Sequence, residues 1–150
     1  GDATYETFLK TEVKRLGLQN VKFTGFLSGK EKDEAIASLS VLAMPSEFEN
    51  FGNVILEGLI RKIPCIATKG APWQELETHH CGWWVDYSQE GITSAIEKAL
   101  NTSREKLAIM GENGRALLEQ NYTVEAVAIK MKSLYEWILK KSNKPEFVYL

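Results

Sequence analysis

Two glutamates, Glu49 and Glu57, lie eight residues apart with a Phe-Gly pair between them. They belong to the segment 45–57, which reads Pro-Ser-Glu-Phe-Glu-Asn-Phe-Gly-Asn-Val-Ile-Leu-Glu. An ionised carboxylate accepts hydrogen bonds from hydroxyl and N–H donors, so a pair of carboxylates at one place can hold a polar ligand. The residue types make this segment the first candidate for a binding site.

The residues around the two glutamates predict a strand, then a loop, then a helix. The run 41–45 is apolar and ends at a proline, whereas 52–61 carries apolar residues at helical spacing. In an open parallel sheet, ligands bind beyond the carboxyl ends of the strands, and a helix that begins there directs unpaired N–H groups at an anion. Glu49 would lie in the loop and Glu57 inside the helix.

Strands and helices are predicted to alternate along most of the chain. Predicted strands cover 21–27, 41–45, 63–69 and 81–87, and predicted helices cover 3–17, 28–39, 52–62 and 72–78. Three further helices follow, with Ser88, Ser103 and Thr123 as their N-caps. This alternation predicts an α/β fold, a Rossmann-like parallel sheet with helices on both faces that ends in helices.

Composition excludes several classes of protein. The chain has 150 residues, of which 44% are hydrophobic and 25% charged, as in an ordinary soluble domain. A net charge of −2 argues against binding nucleic acid through bulk charge. No apolar run approaches the roughly 18 residues of a membrane span. Cys65 and Cys81 form no spacing motif, so we expect reduced thiols in a cytoplasmic protein and no disulfide.

The tripeptide His79-His80-Cys81 has the residue types of a metal site but not the spacing. Adjacent side chains project in different directions, and no further ligands follow at zinc spacing. We therefore expect a turn that leads into a strand, and no metal.

A series of motifs in the right order resembles the C-terminal, donor-binding lobe of retaining glycosyltransferases with the GT-B fold, of the family 4 type. The resemblance covers nearly the whole chain. Its motifs are Glu49-x7-Glu57 with Phe51-Gly52 between, and the segments 21–26, 41–46, 63–68, 70–75 and 82–85.

The resemblance implies a nucleotide-sugar site. Glu49, the catalytic candidate, would lie by the transferred sugar and help to position it, and Glu57 would accept hydrogen bonds from the ribose hydroxyls. The backbone at the helix start would face the diphosphate. The donor-binding positions besides Glu57 are Ser46, Phe51, Gly52, Asn53, Val54 and, near the base, Phe26.

Each glutamate also has an ordinary structural explanation. Glu49 and Glu57 could be a loop carboxylate and a solvated helix residue. Glu75 matches a glutamate near the family's donor site, but it could equally be a first-turn acid that complements a helix dipole.

The resemblance implies neither a cofactor nor a metal ion. The chain contains no Asp-x-Asp of metal-dependent glycosyltransferases and no phosphate-binding Gly-x-x-x-x-Gly-Lys. In the family, an arginine and a lysine bind the donor phosphate and a separate lobe binds the acceptor. No part of this sequence matches those two residues or that lobe. We therefore expect an N-terminally truncated nucleotide-sugar-binding domain over 1–141, a tail over 142–150, and no turnover by this piece alone.

The expected parent is a hexosyltransferase of polysaccharide or glycolipid synthesis, cytoplasmic or peripheral to the inner membrane. Its partners would be a UDP- or GDP-linked sugar and a glycan or glycolipid acceptor, and no nucleic acid. Two alternatives stay open: a non-catalytic α/β nucleotide-binding or regulatory module, and another GT-B enzyme such as a nucleotide-sugar epimerase or a phosphorylase.

Overall fold

Helices and a small parallel sheet form the regular structure of the computed structural model, which describes residues 3–149. The chain divides into two compact units, one ending at Lys32 and one beginning at Asp33. The elements in chain order are α1 (Ala3–Arg15), α2 (Gly29–Ala37), β1 (Leu42–Met44), α3 (Asn53–Leu59), β2 (Cys65–Thr68), α4 (Glu75–Thr78), β3 (Gly82–Val85), α5 (Gln89–Leu100), α6 (Arg104–Asn121) and α7 (Val124–Ile138).

The sheet has the order β1-β2-β3, and both pairings are parallel. Alternate residues of β2 point to opposite faces of the sheet. Cys65 and Ala67 lie in the larger core cluster with residues of α3 and α6, while Ile66 packs against Ala95 and Ala99 of α5. Helices therefore cover both faces, and the predicted α/β fold is confirmed.

The predicted strand at 21–27 is wrong. This segment has no regular secondary structure, and Val21 and Phe23 are exposed. A strand is stable only when its backbone N–H and C=O groups pair with a neighbouring strand. Among residues 3–149 the only pairings join β1 to β2 and β2 to β3, so alternation of side chains at 21–27 is not enough to make a strand.

The three terminal helices begin where the sequence predicts. Ser88 and Ser103 accept hydrogen bonds from the N–H groups of Gly91 and Lys106, at 3.0 and 3.3 Å. Thr123 accepts one from Ala126 at 3.1 Å. Each cap satisfies an amide that the helix itself leaves unpaired, so all three N-caps are confirmed. Within residues 3–149, none of these helices or the others is long and apolar enough to cross a membrane.

Both cysteines are free thiols in the core, with no exposed surface. Burial raises the pKa of both, because a thiolate loses its hydration in an apolar interior. The pKa of Cys81 rises to about 11, and that of Cys65 also rises strongly.

We expect the protein to lose stability as the pH rises above about 9. A thiol of the unfolded chain releases its proton near pH 8.5, whereas Cys81 in the folded protein holds its proton to about pH 11. The stabilisation is thus fully present below the unfolded pKa and is lost as the pH rises through the folded one. The urea midpoint should fall between pH 8 and 10.5, and less steeply in Cys81→Ala. Equal slopes would contradict this assignment.

Candidate functional site

The loop 45–52 lies between β1 and α3, at the carboxyl edge of the sheet. The turn 69–71 follows the neighbouring strand β2 at the same edge, because the two strands are parallel. A crevice beyond these strand ends is where open α/β sheets bind ligands. The fold therefore places the loop that carries Glu49 where the sequence predicts.

Backbone contacts hold this loop against the turn after β2. The hydroxyl of Thr68, which is fully buried, donates a hydrogen bond to the carbonyl of Ser46. The backbone N–H of Glu49 donates to the carbonyl of Gly70 at 3.0 Å. A Cβ at Gly70 would lie 1.9 Å from the carbonyl oxygen of Glu47, so only glycine allows the two segments to come this close. Ser46 and Glu49 are thus fixed through their backbones.

Gly52 ends the loop in a conformation that other residues rarely adopt. It is the N-cap of α3, with φ of 81° and ψ of 65°, in the left-handed region. Having no side chain, it makes no capping hydrogen bond to the first N–H groups of α3, which include those of Asn53 and Val54. The carboxylate of Glu49 lies 3.5 Å from the backbone N of Phe51, at the outer limit of a hydrogen bond.

Glu57 lies on the second turn of α3 and is half-buried. Its backbone carbonyl accepts a hydrogen bond of 2.8 Å from Arg61, whose guanidinium also pairs with Asp33 at 2.5 Å. The structure therefore brings Ser46, Glu49, the 51–54 backbone and Glu57 onto one loop and the short helix that follows it.

Phe26 lies outside the compact unit that contains Glu49 and Glu57. It lies in the unit that ends at Lys32, and its ring is 93% exposed. The donor-binding role predicted for it stays a prediction.

An aromatic cluster of Phe51, Trp73 and Tyr122 packs next to the loop. The ring centroids of Phe51 lie 5.2 Å from Trp73 and 5.9 Å from Tyr122, and those of Trp73 and Tyr122 lie 5.4 Å apart. Trp73 donates its indole N–H to the carbonyl of Phe51. The sequence placed Trp73 only within a family motif and indicated only a packing role for Tyr122, not a place beside the loop, since no local pattern reports a contact over such separations.

Glu75 begins α4 and accepts a hydrogen bond from the hydroxyl of Tyr122. The pKa of Tyr122 is raised, mainly by burial and further by this carboxylate, because both disfavour a negative phenolate. Glu75 therefore has a structural partner in the aromatic cluster. Its place in a donor site stays a prediction.

Other charged groups at the sheet edge pair with one another. Lys69 follows β2, Asp86 follows β3, and their side chains form an ion pair of 2.8 Å. The hydrogen bond that Lys69 donates to Asp86 raises the pKa of Lys69, because it stabilises the charged ammonium.

The tripeptide at 79–81 forms the predicted turn into β3. His79 and His80 are exposed, whereas Cys81 is buried. Nowhere in the described part of the chain do three or more His, Cys, Asp or Glu side chains cluster so that they could hold a metal ion.

Curated glycosyltransferases are similar in sequence to this chain over most of its length. Alpha-1,3/1,6-mannosyltransferase alg2 of Schizosaccharomyces pombe is 30% identical over 115 residues, which cover 76% of this chain and 23% of that protein. The capsular polysaccharide biosynthesis glycosyltransferase CapM of Staphylococcus aureus is 29% identical over 109 residues, 71% of this chain and 28% of the relative. The chain therefore spans about a quarter of the length of these curated relatives.

Solved structures and a family model agree with these relatives. HepE of Anabaena in complex with UDP-glucose is 26% identical with a TM-score of 0.73, over 93% of this chain and 38% of that one. Sucrose-phosphate synthase of Thermosynechococcus elongatus, 23% identical over 95% of this chain and 36% of its own, shares the fold with a TM-score of 0.75. The family model "Glycosyl transferases group 1" matches residues 1–117. The chain therefore belongs to the glycosyl transferases group 1 family and has the fold of GT-B C-terminal domains.

Proposed function

We propose that this chain is the nucleotide-sugar-binding part of a retaining glycosyltransferase of the family 4 type, which needs no metal ion or cofactor. One observation carries the proposal. In a chain of this family, Glu49 lies on a loop whose backbone is held against the neighbouring strand end through Ser46 and Gly70. A loop held in this way can position a sugar without rearranging when the donor binds.

Three groups of the predicted site have a defined part in this proposal. Glu49 positions the transferred sugar, and Glu57 accepts hydrogen bonds from the ribose hydroxyls. Backbone N–H groups of residues 51–54 face the diphosphate. Such donors stabilise the negative charge that grows on the diphosphate as the bond to the sugar breaks. Gly52 permits a close approach, since it has no side chain.

The donor in this proposal is a UDP- or GDP-linked hexose. Support comes from the solved structure of HepE, which is described in complex with UDP-glucose, and from a relative named as a mannosyltransferase. We propose that the whole protein transfers the hexosyl unit to a glycan or glycolipid, in the cytoplasm or at the inner membrane surface. CapM, a relative named for capsular polysaccharide biosynthesis, supports an acceptor of this class.

The first test is an NMR titration of the labelled chain with UDP, GDP and ADP. We expect one nucleotide to shift the amide signals of residues 46–57, and we expect Glu57→Gln to bind it about 10-fold or more weakly. The reason is that a hydrogen bond to a charged acceptor contributes about 1.5–3 kcal/mol. Glu97→Gln is the control, because Glu97 is an exposed glutamate on α5, which packs on the other face of the sheet.

Three results would contradict the proposal for this chain. The first is that no nucleotide at millimolar concentration shifts any amide signal. The second is that the shifted signals are confined to the amino edge of the sheet. The third is that Glu57→Gln and Glu97→Gln weaken nucleotide binding equally.

A further inference from the structure

We propose that Trp73 is a positioning residue for the loop that carries Glu49. Its indole N–H would set the orientation of the peptide between Phe51 and Gly52, with Tyr122 and Glu75 holding the indole in place. The inference rests on the function proposed above, because the loop matters for the donor only if the donor binds there.

The position of Trp73 is fixed by complete burial. The side chain has no exposed surface, and its indole N–H donates to the carbonyl oxygen of Phe51. A buried N–H group without a partner is costly, so the carbonyl of Phe51 must stay directed at Trp73.

That bond also determines where the next N–H group points. The peptide unit is planar and trans, so the carbonyl of Phe51 and the N–H of Gly52 point in opposite directions. With the carbonyl directed at Trp73, the N–H of Gly52 is directed away from the aromatic cluster. A flip of this peptide would reverse the N–H of Gly52, in the residue next to Phe51, whose own backbone N lies 3.5 Å from the carboxylate of Glu49.

Tyr122 and Glu75 support the position of the Trp73 indole. The ring of Tyr122 packs against both Trp73 and Phe51, and its hydroxyl donates to the carboxylate of Glu75. Glu75 lies only two residues after Trp73, so one short segment holds the carbonyl of Phe51 and the hydroxyl of Tyr122 together. Residues from two distant parts of the chain, 73–75 and 122, thereby fix a single peptide of the loop.

The variant Trp73→Phe tests this directly, since it keeps an aromatic ring and removes only the indole N–H and part of the ring area. In the ligand-free Trp73→Phe chain we expect the rate of amide hydrogen exchange at residues 49–53 to rise at least 10-fold over wild type, with the rate at Ile66 in the core as the reference. We expect affinity for the nucleotide that wild type prefers in the titration with UDP, GDP and ADP to fall at least 5-fold. Tyr122→Phe, which loses the bond to Glu75, should change both quantities in the same direction by less.

Trp83→Phe is the matched control. Trp83 is half-buried on β3 and packs against the core cluster on the α5 side. The substitution Trp83→Phe therefore makes the same chemical change at a place away from the loop. It should alter neither the exchange at 49–53 nor the affinity.

Two results would overturn the positioning role. One is exchange at 49–53 and affinity both within 2-fold of wild type in Trp73→Phe. The other is a uniform rise in exchange across the core in Trp73→Phe, together with wild-type values in Tyr122→Phe, which would show general loosening. If wild type binds no nucleotide, the proposed function fails, while the exchange data still decide whether Trp73 orients the loop.

Discussion

Gly70→Ala is expected to lower the free energy of unfolding by about 3 kcal/mol or more and to displace the loop 46–52. The added Cβ would lie 1.9 Å from the carbonyl oxygen of Glu47 and 2.6 Å from its carbonyl carbon. Overpacking costs about 1–3 kcal/mol even where side chains can shift, and here the obstacle is backbone that no rotamer change can move. The hydrogen bond from Glu49 to Gly70 would be strained as well.

The measurement is urea denaturation together with amide shifts of the folded variant. Gly82→Ala is the matched control, because its Cβ would lie 2.0 Å from the carbonyl oxygen of Cys65, at the amino end of β3. Both variants should lose stability, but only Gly70→Ala should shift the signals of residues 46–52 in its folded state. Wild-type stability with an unchanged loop would refute the close approach at Gly70.

Leu59→Ala is expected to lower the free energy of unfolding by about 2–5 kcal/mol, as large-to-small changes in a packed core do. Leu59 has no exposed surface and lies in the larger core cluster. A Cβ on Gly114 of α6 would come within 2.7 Å of its Cδ2 atom, so α3 and α6 pack tightly at this point. The truncated side chain would leave a cavity that such close packing cannot fill.

Leu100→Ala makes the same chemical change at a helix position that is 80% exposed. Surface substitutions usually change stability by no more than about 0.5 kcal/mol, so its urea midpoint should match wild type. Similar losses in the two variants would mean that Leu59 is not a core residue. A loss at Leu59 alone would confirm that packing of α3 on α6 stabilises the helix that carries Glu57.

Features that depend on neighbours in the chain were predictable without the structure. The N-caps at Ser88, Ser103 and Thr123 follow from a side chain that reaches an amide three residues on. The strand, loop and helix around Glu49 and Glu57 follow from a change of hydrophobic period within about twenty residues. These local signals were also sufficient to identify the α/β class and the candidate loop.

The sequence by itself therefore determined the elements that follow residue 28 and the three caps, because each depends on interactions within one or two turns, whereas the donor-binding residues rest on the family resemblance. Only the tertiary structure decided that 21–27 is not a strand, since a strand depends on a partner elsewhere. It also joined Trp73 to Phe51 and Tyr122 to Glu75, across 22 and 47 residues. Such contacts form only once the sheet and its helices bring distant segments together, so no local pattern predicts them.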